Sequence, residues 1–103
     1  MLPNGPAFAA AFYGILYAGA VAVPMNPLLK APEIEFYLAN TTAKALFAPP
    51  AFAGEAQAGA EAAGAGCWVV DDAGLAALIA DLPAQPAPVE RADDDTAVVL
   101  HTS

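Results

Sequence analysis

With 103 residues the chain can build one ordinary core and not two, and 58% hydrophobic residues exceeds the roughly 45 to 50% apolar content of typical soluble proteins, leaving a surplus for something else to cover. Eleven acids stand against only Lys30, Lys44 and Arg91, for a net charge of −8, so there is no basic patch to neutralise nucleic-acid phosphates or to seek an anionic membrane surface. Cys67 is the one cysteine, which excludes an internal disulfide and gives no support to a cysteine-based zinc site, so a cytoplasmic setting is the expectation.

The first long apolar stretch, Ala7 to Met25, is uncharged over a length that matches a membrane span of about 20 residues. Gly14, Gly19, the change to Val21-Ala22-Val23 and then Pro24 divide it instead into a helix of about a dozen residues and a strand, each too short to span. No Lys or Arg precedes it to form the positive region of a signal peptide. Asn4 is the expected cap of this helix, with Pro6 in the first turn and Phe8, Phe12 and Ile15 on one face at i, i+4 and i+7. The strand VAVPM is apolar on both faces, as a strand covered by helices on two sides requires.

A second helix follows the NPLLKAP connection. Pro32 suits its first turn, Glu33 and Glu35 sit where the amino-terminal dipole favours anions, and Ile34, Tyr37 and Leu38 form an apolar stripe ending near Asn40. KALFAPP reads as a strand stopped by Pro49 and Pro50. The Ala-rich run from Ala51 to Gly66 predicts a poorly anchored third helix, because Gly54 and Gly59 each cost about 0.8 to 1 kcal/mol relative to Ala. CWVV is the next strand, Asp71 or Asp72 can cap a fourth helix, and Leu75, Leu78, Ile79 and Leu82 recur at helical spacing. Pro83 to Asp95 reads as an exposed connector before a last strand, AVVL, that runs into His101, Thr102 and Ser103.

Strands and helices alternate with about 20 residues between the early strands, a spacing that implies parallel neighbours. The expected fold is α/β, a parallel sheet of about four strands with helices on both faces. Ligands in such layers gather at the carboxyl ends of the strands, here Met25-Asn26, Pro49, Asp71-Asp72 and His101-Thr102-Ser103.

Several residue types could carry chemistry there, and each has a plainer reading. His101 has no carboxylate nearby in sequence to orient it, so it is read as structural. Cys67, between Gly66 and Trp68, reads as a small buried hydrophobe rather than a nucleophile. Asp71-Asp72 and Asp93-Asp94-Asp95 read as a cap and a solvated turn, and the spacing of a calcium loop is absent. Phe8, Phe12, Tyr13 and Tyr17 could line an acyl tunnel, although aromatics at helical spacing usually pack a core.

The stretch from Leu2 to Pro49 resembles the amino-terminal domain of the adenylate-forming, or AMP-binding, enzymes, and among them the fatty-acid and related acyl-CoA ligases. Three matches carry the resemblance: LPNG before an apolar helix; YAGAVAVPMNP, similar to the family's helix-to-strand core; and DTAVVLHTS, similar to the strand entering its phosphate-binding loop. Tyr17 departs from the pattern, standing where many members have Lys. The resemblance implies that Thr102 and Ser103 open a loop rich in Ser, Thr and Gly that contacts the β and γ phosphates of ATP. It further implies that residues 1–103 are a partial amino-terminal subdomain, truncated at both ends and inactive in isolation; the apolar surplus adds the expectation that the polypeptide alone is prone to aggregate or only partly ordered.

For the intact parent the resemblance implies two steps. A carboxylate, such as a fatty acid, attacks the α-phosphate of ATP with Mg²⁺ present, and a thiol, that of CoA or of a carrier, then displaces AMP. The family's adenine, metal and catalytic lysine residues would lie beyond Ser103, and the chain's main partner would be the rest of its own parent. The alternative is a complete small flavodoxin-like binding or signalling module whose working groups are acidic strand ends such as Asp71.

Overall fold

The computed structural model describes residues 1–102. Its elements in chain order are α1 (Pro6–Tyr17), α2 (Ala31–Thr41), β1 (Ala45–Ala48), a single 3₁₀ turn at Pro50–Phe52, α3 (Ala53–Ala63), β2 (Gly66–Val69) and α4 (Asp72–Ile79). β1 and β2 pair in parallel, Ala45 opposite Gly66 through Ala48 opposite Val69, with α3 as the crossover. The expected parallel α/β arrangement is therefore present.

The pleat of β1 explains how helices come to lie on both faces. Leu46 and Ala48 point into a core made with Ile34 and Leu38 of α2 and with Ala56 and Ala60 of α3. Phe47 points the other way, onto a second cluster made by Leu2, Ala7, Val70 and Leu75. Alternate residues thus serve α2 and α3 on one side and α1 and α4 on the other, the period-two logic of a covered strand.

The sheet has two strands, not about four. Val21–Met25 and the Val98 segment meet only at a parallel bridge, Ala22 opposite Val98, where Ala22 N–H donates to the Ala97 carbonyl and Val99 N–H to the Ala22 carbonyl, each at 2.9 Å. Pro24 explains the brevity. It occupies the next position on the bonding edge, and having no N–H it cannot add a rung. On the other side Ala20 is already engaged, donating to the Ile15 carbonyl as α1 terminates.

Helix ends also differ from expectation. Gly5 occupies the cap position of α1 and Asn4 makes no capping bond; instead the Asp72 carboxylate, brought in from α4, accepts from Ala7 N–H at 2.8 Å. Asp71 caps its own helix, accepting from Gly74 N–H at 2.6 Å. The α3 helix is well anchored: Ala56, Gly59 and Ala60 are buried against α2, and Glu55 accepts from Ala31 N–H at 2.7 Å. A Cβ on Gly59 would lie 2.6 Å from the Ile34 Cβ and 2.9 Å from the Ala31 carbonyl, so this glycine sets the close approach of α2 and α3.

Candidate functional site

Two concavities flank the sheet. The larger, of about 580 Å³, lies between the Ala20–Met25 segment and the outer edge of β1, floored by Phe8, Phe12 and Ile15 of α1. Even-numbered residues of β1 bond to β2, as the donations from Gly66 N–H to Lys44 and from Val70 N–H to Ala48 show, so Ala45 and Phe47 turn their peptide groups to this cleft. At its end the Met1 amine donates to the Phe47 carbonyl at 2.8 Å, and burial lowers the amine from its ordinary 8.0 to about 6.

The aromatic residues divide accordingly. Phe8 and Phe12 stack with centroids 5.9 Å apart and face the cleft, whereas Tyr13 and Tyr17 are exposed and border neither concavity. The smaller concavity, of about 210 Å³, sits where β1 and β2 end, bordered by Asn4, Gly5, Pro49, Asp71 and Asp72. Both carboxylates there already hold helix N-termini, which removes them as free working groups for a flavodoxin-like module. Asp95 likewise accepts from Ala92 N–H and pairs with Arg91 at 3.4 Å. No group of three His, Cys, Asp or Glu able to hold a metal ion occurs among the described residues. Burial pushes the Cys67 thiol up from its ordinary value, which suits the inert reading of that residue.

The segment that follows the Ala22–Val98 bridge carries the remaining candidates. Because the Ala22–Val98 bridge is parallel, Met25 and Asn26 leave the sheet in the same direction as His101 and Thr102. Thr102 is exposed there; Ser103 lies outside the described residues. His101 is not the isolated side chain its sequence neighbours suggest. Its ring stacks on Tyr37 of α2 with centroids 4.1 Å apart and planes 10° from parallel, and its Nε2 lies 3.2 Å from Asn40 Oδ1. Tyr37 and Asn40 share one face of α2 at i, i+3, a signal that becomes readable only once α2 is known to lie beside the final strand.

One strand-end hydroxyl does not make a triphosphate cradle, which takes several N–H donors and a cation. Residues 1–102 provide an extended segment that places the Thr102 hydroxyl just beyond the Ala22–Val98 bridge, held to α2 by an aromatic stack and a hydrogen bond.

In sequence the chain resembles the AMP-binding enzymes. The family's sequence pattern matches residues 1–103, and the chain belongs to that family. It is 36% identical over 107 aligned residues to the long-chain-fatty-acid–CoA ligase FadD13 of Mycobacterium tuberculosis, an alignment covering all of this chain and 21% of the relative. Among solved structures, a benzoate CoA ligase from Burkholderia xenovorans LB400 superposes with a TM-score of 0.84 at 27% identity, over 94% of this chain and 20% of that one. A Mycobacterium tuberculosis fatty acyl CoA synthetase superposes with a TM-score of 0.79 at 31% identity, over 100% of this chain and 21% of that one. The chain thus spans about a fifth of the length of the relatives it matches. No helix among the described residues is long and apolar enough to cross a membrane.

Proposed function

We propose that residues 1–103 are a partial amino-terminal subdomain of a cytoplasmic ATP-dependent carboxylic acid–CoA ligase, truncated at both ends, in which Thr102 and Ser103 open the loop that contacts the β and γ phosphates. The parent converts a carboxylic acid, with a fatty acid as the preferred class, into an acyl-adenylate and pyrophosphate, using ATP and Mg²⁺. The CoA thiol then displaces AMP. Charge accumulating on phosphoryl oxygens in the first step is what a loop of N–H groups, hydroxyls and a cation stabilises. The observation that carries this reading is the Ala22–Val98 bridge, which presents Thr102 at the end of an extended segment parallel to Val21–Met25 in a chain of this family.

The apolar cleft supports the partial-domain half of the reading. A strand residue fills about 160 Å³, taking a rise of about 3.3 Å, a strand spacing of about 4.8 Å and a sheet spacing of about 10 Å. The cleft of about 580 Å³ therefore suits three to four extended residues, and its walls are the unpaired edge of β1 and the Val21–Met25 segment. A strand preceding Met1 in the parent would run parallel to β1, turn the Met1 donor into an ordinary peptide N–H, and join the two halves of the sheet.

The test is pyrophosphate release by the parent over a panel of carboxylic acids. Expected is ATP-dependent release with a fatty acid, followed by thioester formation with CoA, and a fall in kcat/KM for ATP of tenfold or more in T102A. Absence of acid-dependent pyrophosphate release rules the reading out.

A further inference from the structure

We infer that His101 is a positioning residue for the nucleotide loop, acting by fastening the end of the last strand to α2 rather than by touching the reacting groups. The inference rests on the proposed function above, since it concerns the loop that reading assigns.

Among the described residues the backbone of the 97–102 segment is held to the Val21–Met25 segment by a single bridge, the bonds to Ala22 made by Ala97 and Val99, because Pro24 cannot add the following rung. Beyond Val99 the strand would be free to swing. The side chain of His101 takes over from the ladder at that point. Its ring lies flat on Tyr37, its edge meets Phe36 at 6.5 Å and 67°, and Nε2 reaches Asn40 Oδ1 at 3.2 Å. A carbonyl oxygen only accepts, so this hydrogen bond requires a proton on Nε2. Nδ1 is buried and has no partner among the described residues.

The anchor itself is rigid. Tyr37 and Asn40 flank Leu38, which is 2% exposed, and α2 is clamped against α3 at Gly59. The position of Thr102, one residue after His101, is thereby referred to the best-packed helix pair of the chain. Preorganised donors at a phosphate site lower the barrier only while they stay where the charge develops, so the fastening bears on ATP and not on the carboxylate or the thiol.

The experiment uses the parent enzyme with H101A, H101F, which keeps the stack, and N40A, which removes only the hydrogen bond. Amide hydrogen exchange without nucleotide is read alongside steady-state kinetics. Expected for H101A are exchange at Thr102 and the following loop faster by tenfold or more, KM for ATP raised about tenfold, and KM for acid and CoA within twofold of wild type. H101F recovers at least half of the loss on a logarithmic scale, and N40A shows a smaller change in the same direction. Unchanged exchange at Thr102, or a lowered Tm with KM for ATP unmoved, overturns the inference. A wild-type parent without acid-dependent pyrophosphate release would instead sink the functional reading, and the exchange measurement would still decide the role of His101.

Discussion

The α2–β1–α3–β2 half of the molecule and the half formed by α4 and the 80–102 segment are built to different standards. In the first, Ile34, Leu46, Ala48, Ala56 and Ala60 are each at most 3% exposed. In the second, Leu75 is the single buried residue of α4, while Leu78 is 44% and Leu82 62% exposed. The first half has a finished interior and serves as a frame. The second carries the strand that the proposed chemistry needs, and it is tied back at separate points: Asp72 to Ala7, Val89 N–H to the Tyr17 carbonyl, the bonds at Ala22, and His101 to α2. A segment held at points rather than by a continuous core opens at low free energy, as loops that must admit ligands do.

That contrast can be broken most sharply at Ile34, fully buried at the α2–α3 contact. Ile34→Ala is expected to cost about 2 to 5 kcal/mol in the opening free energy of α2 and α3 amides by hydrogen exchange, against about 0.5 kcal/mol or less for Leu78→Ala. Comparable losses at the two sites would erase the distinction.

Next in size is the Met1 amine at the edge of β1, whose folded-state value lies below its unfolded one. The neutral form is favoured in the fold, so stability is fully present above pH 8 and falls as pH drops from 8 through 6. For a polypeptide with a free amine at Met1 the lowering from 8.0 to about 6 corresponds to about 3 kcal/mol at most. Acetylating the amine should flatten this pH profile while leaving the donor to Phe47 in place; a profile that persists in the acetylated chain refutes the assignment.

Gly59→Val follows, at about 1 to 3 kcal/mol, because the added atoms meet the Ile34 Cβ and the Ala31 carbonyl, which cannot both yield. The loss should be confined to α2 and α3 amides, with α4 unchanged. The smallest of the set is Asp72→Ala, expected to cost about 0.5 to 2 kcal/mol through the lost cap on α1, and to raise exchange at Ala7 and its neighbours rather than in β1 or β2. An unchanged Ala7 rate would show that the carboxylate does not hold that helix.

The same division governs what could be read from the sequence. All four helices, the parallel β1–β2 pair and the covered character of β1 follow from spacing, caps and turn residues, which are local. Gly59 was legible as a weak helix former and not as a contact point, because helix propensity says nothing of how near another helix comes. Two further strands were expected where only the bridge at Ala22 exists; Pro24 carries part of the reason in plain view, while the open edge of β1 is a fact about neighbours. Asp72 was placed at the right helix end, but its bond reaches the other helix. At the carboxyl end Thr102 was legible through the family resemblance, and the stack of His101 on Tyr37 depends on a juxtaposition across sixty-odd residues that no periodicity encodes.

The most direct test of the account is equilibrium ATP binding, measured side by side on the parent enzyme and on a polypeptide ending at Ser103. Expected are saturable binding by the parent, weakened in T102A, and no binding by the short polypeptide at ATP concentrations that saturate the parent. Binding of equal affinity by both would contradict it, since the strand end would then be a complete phosphate site in its own right.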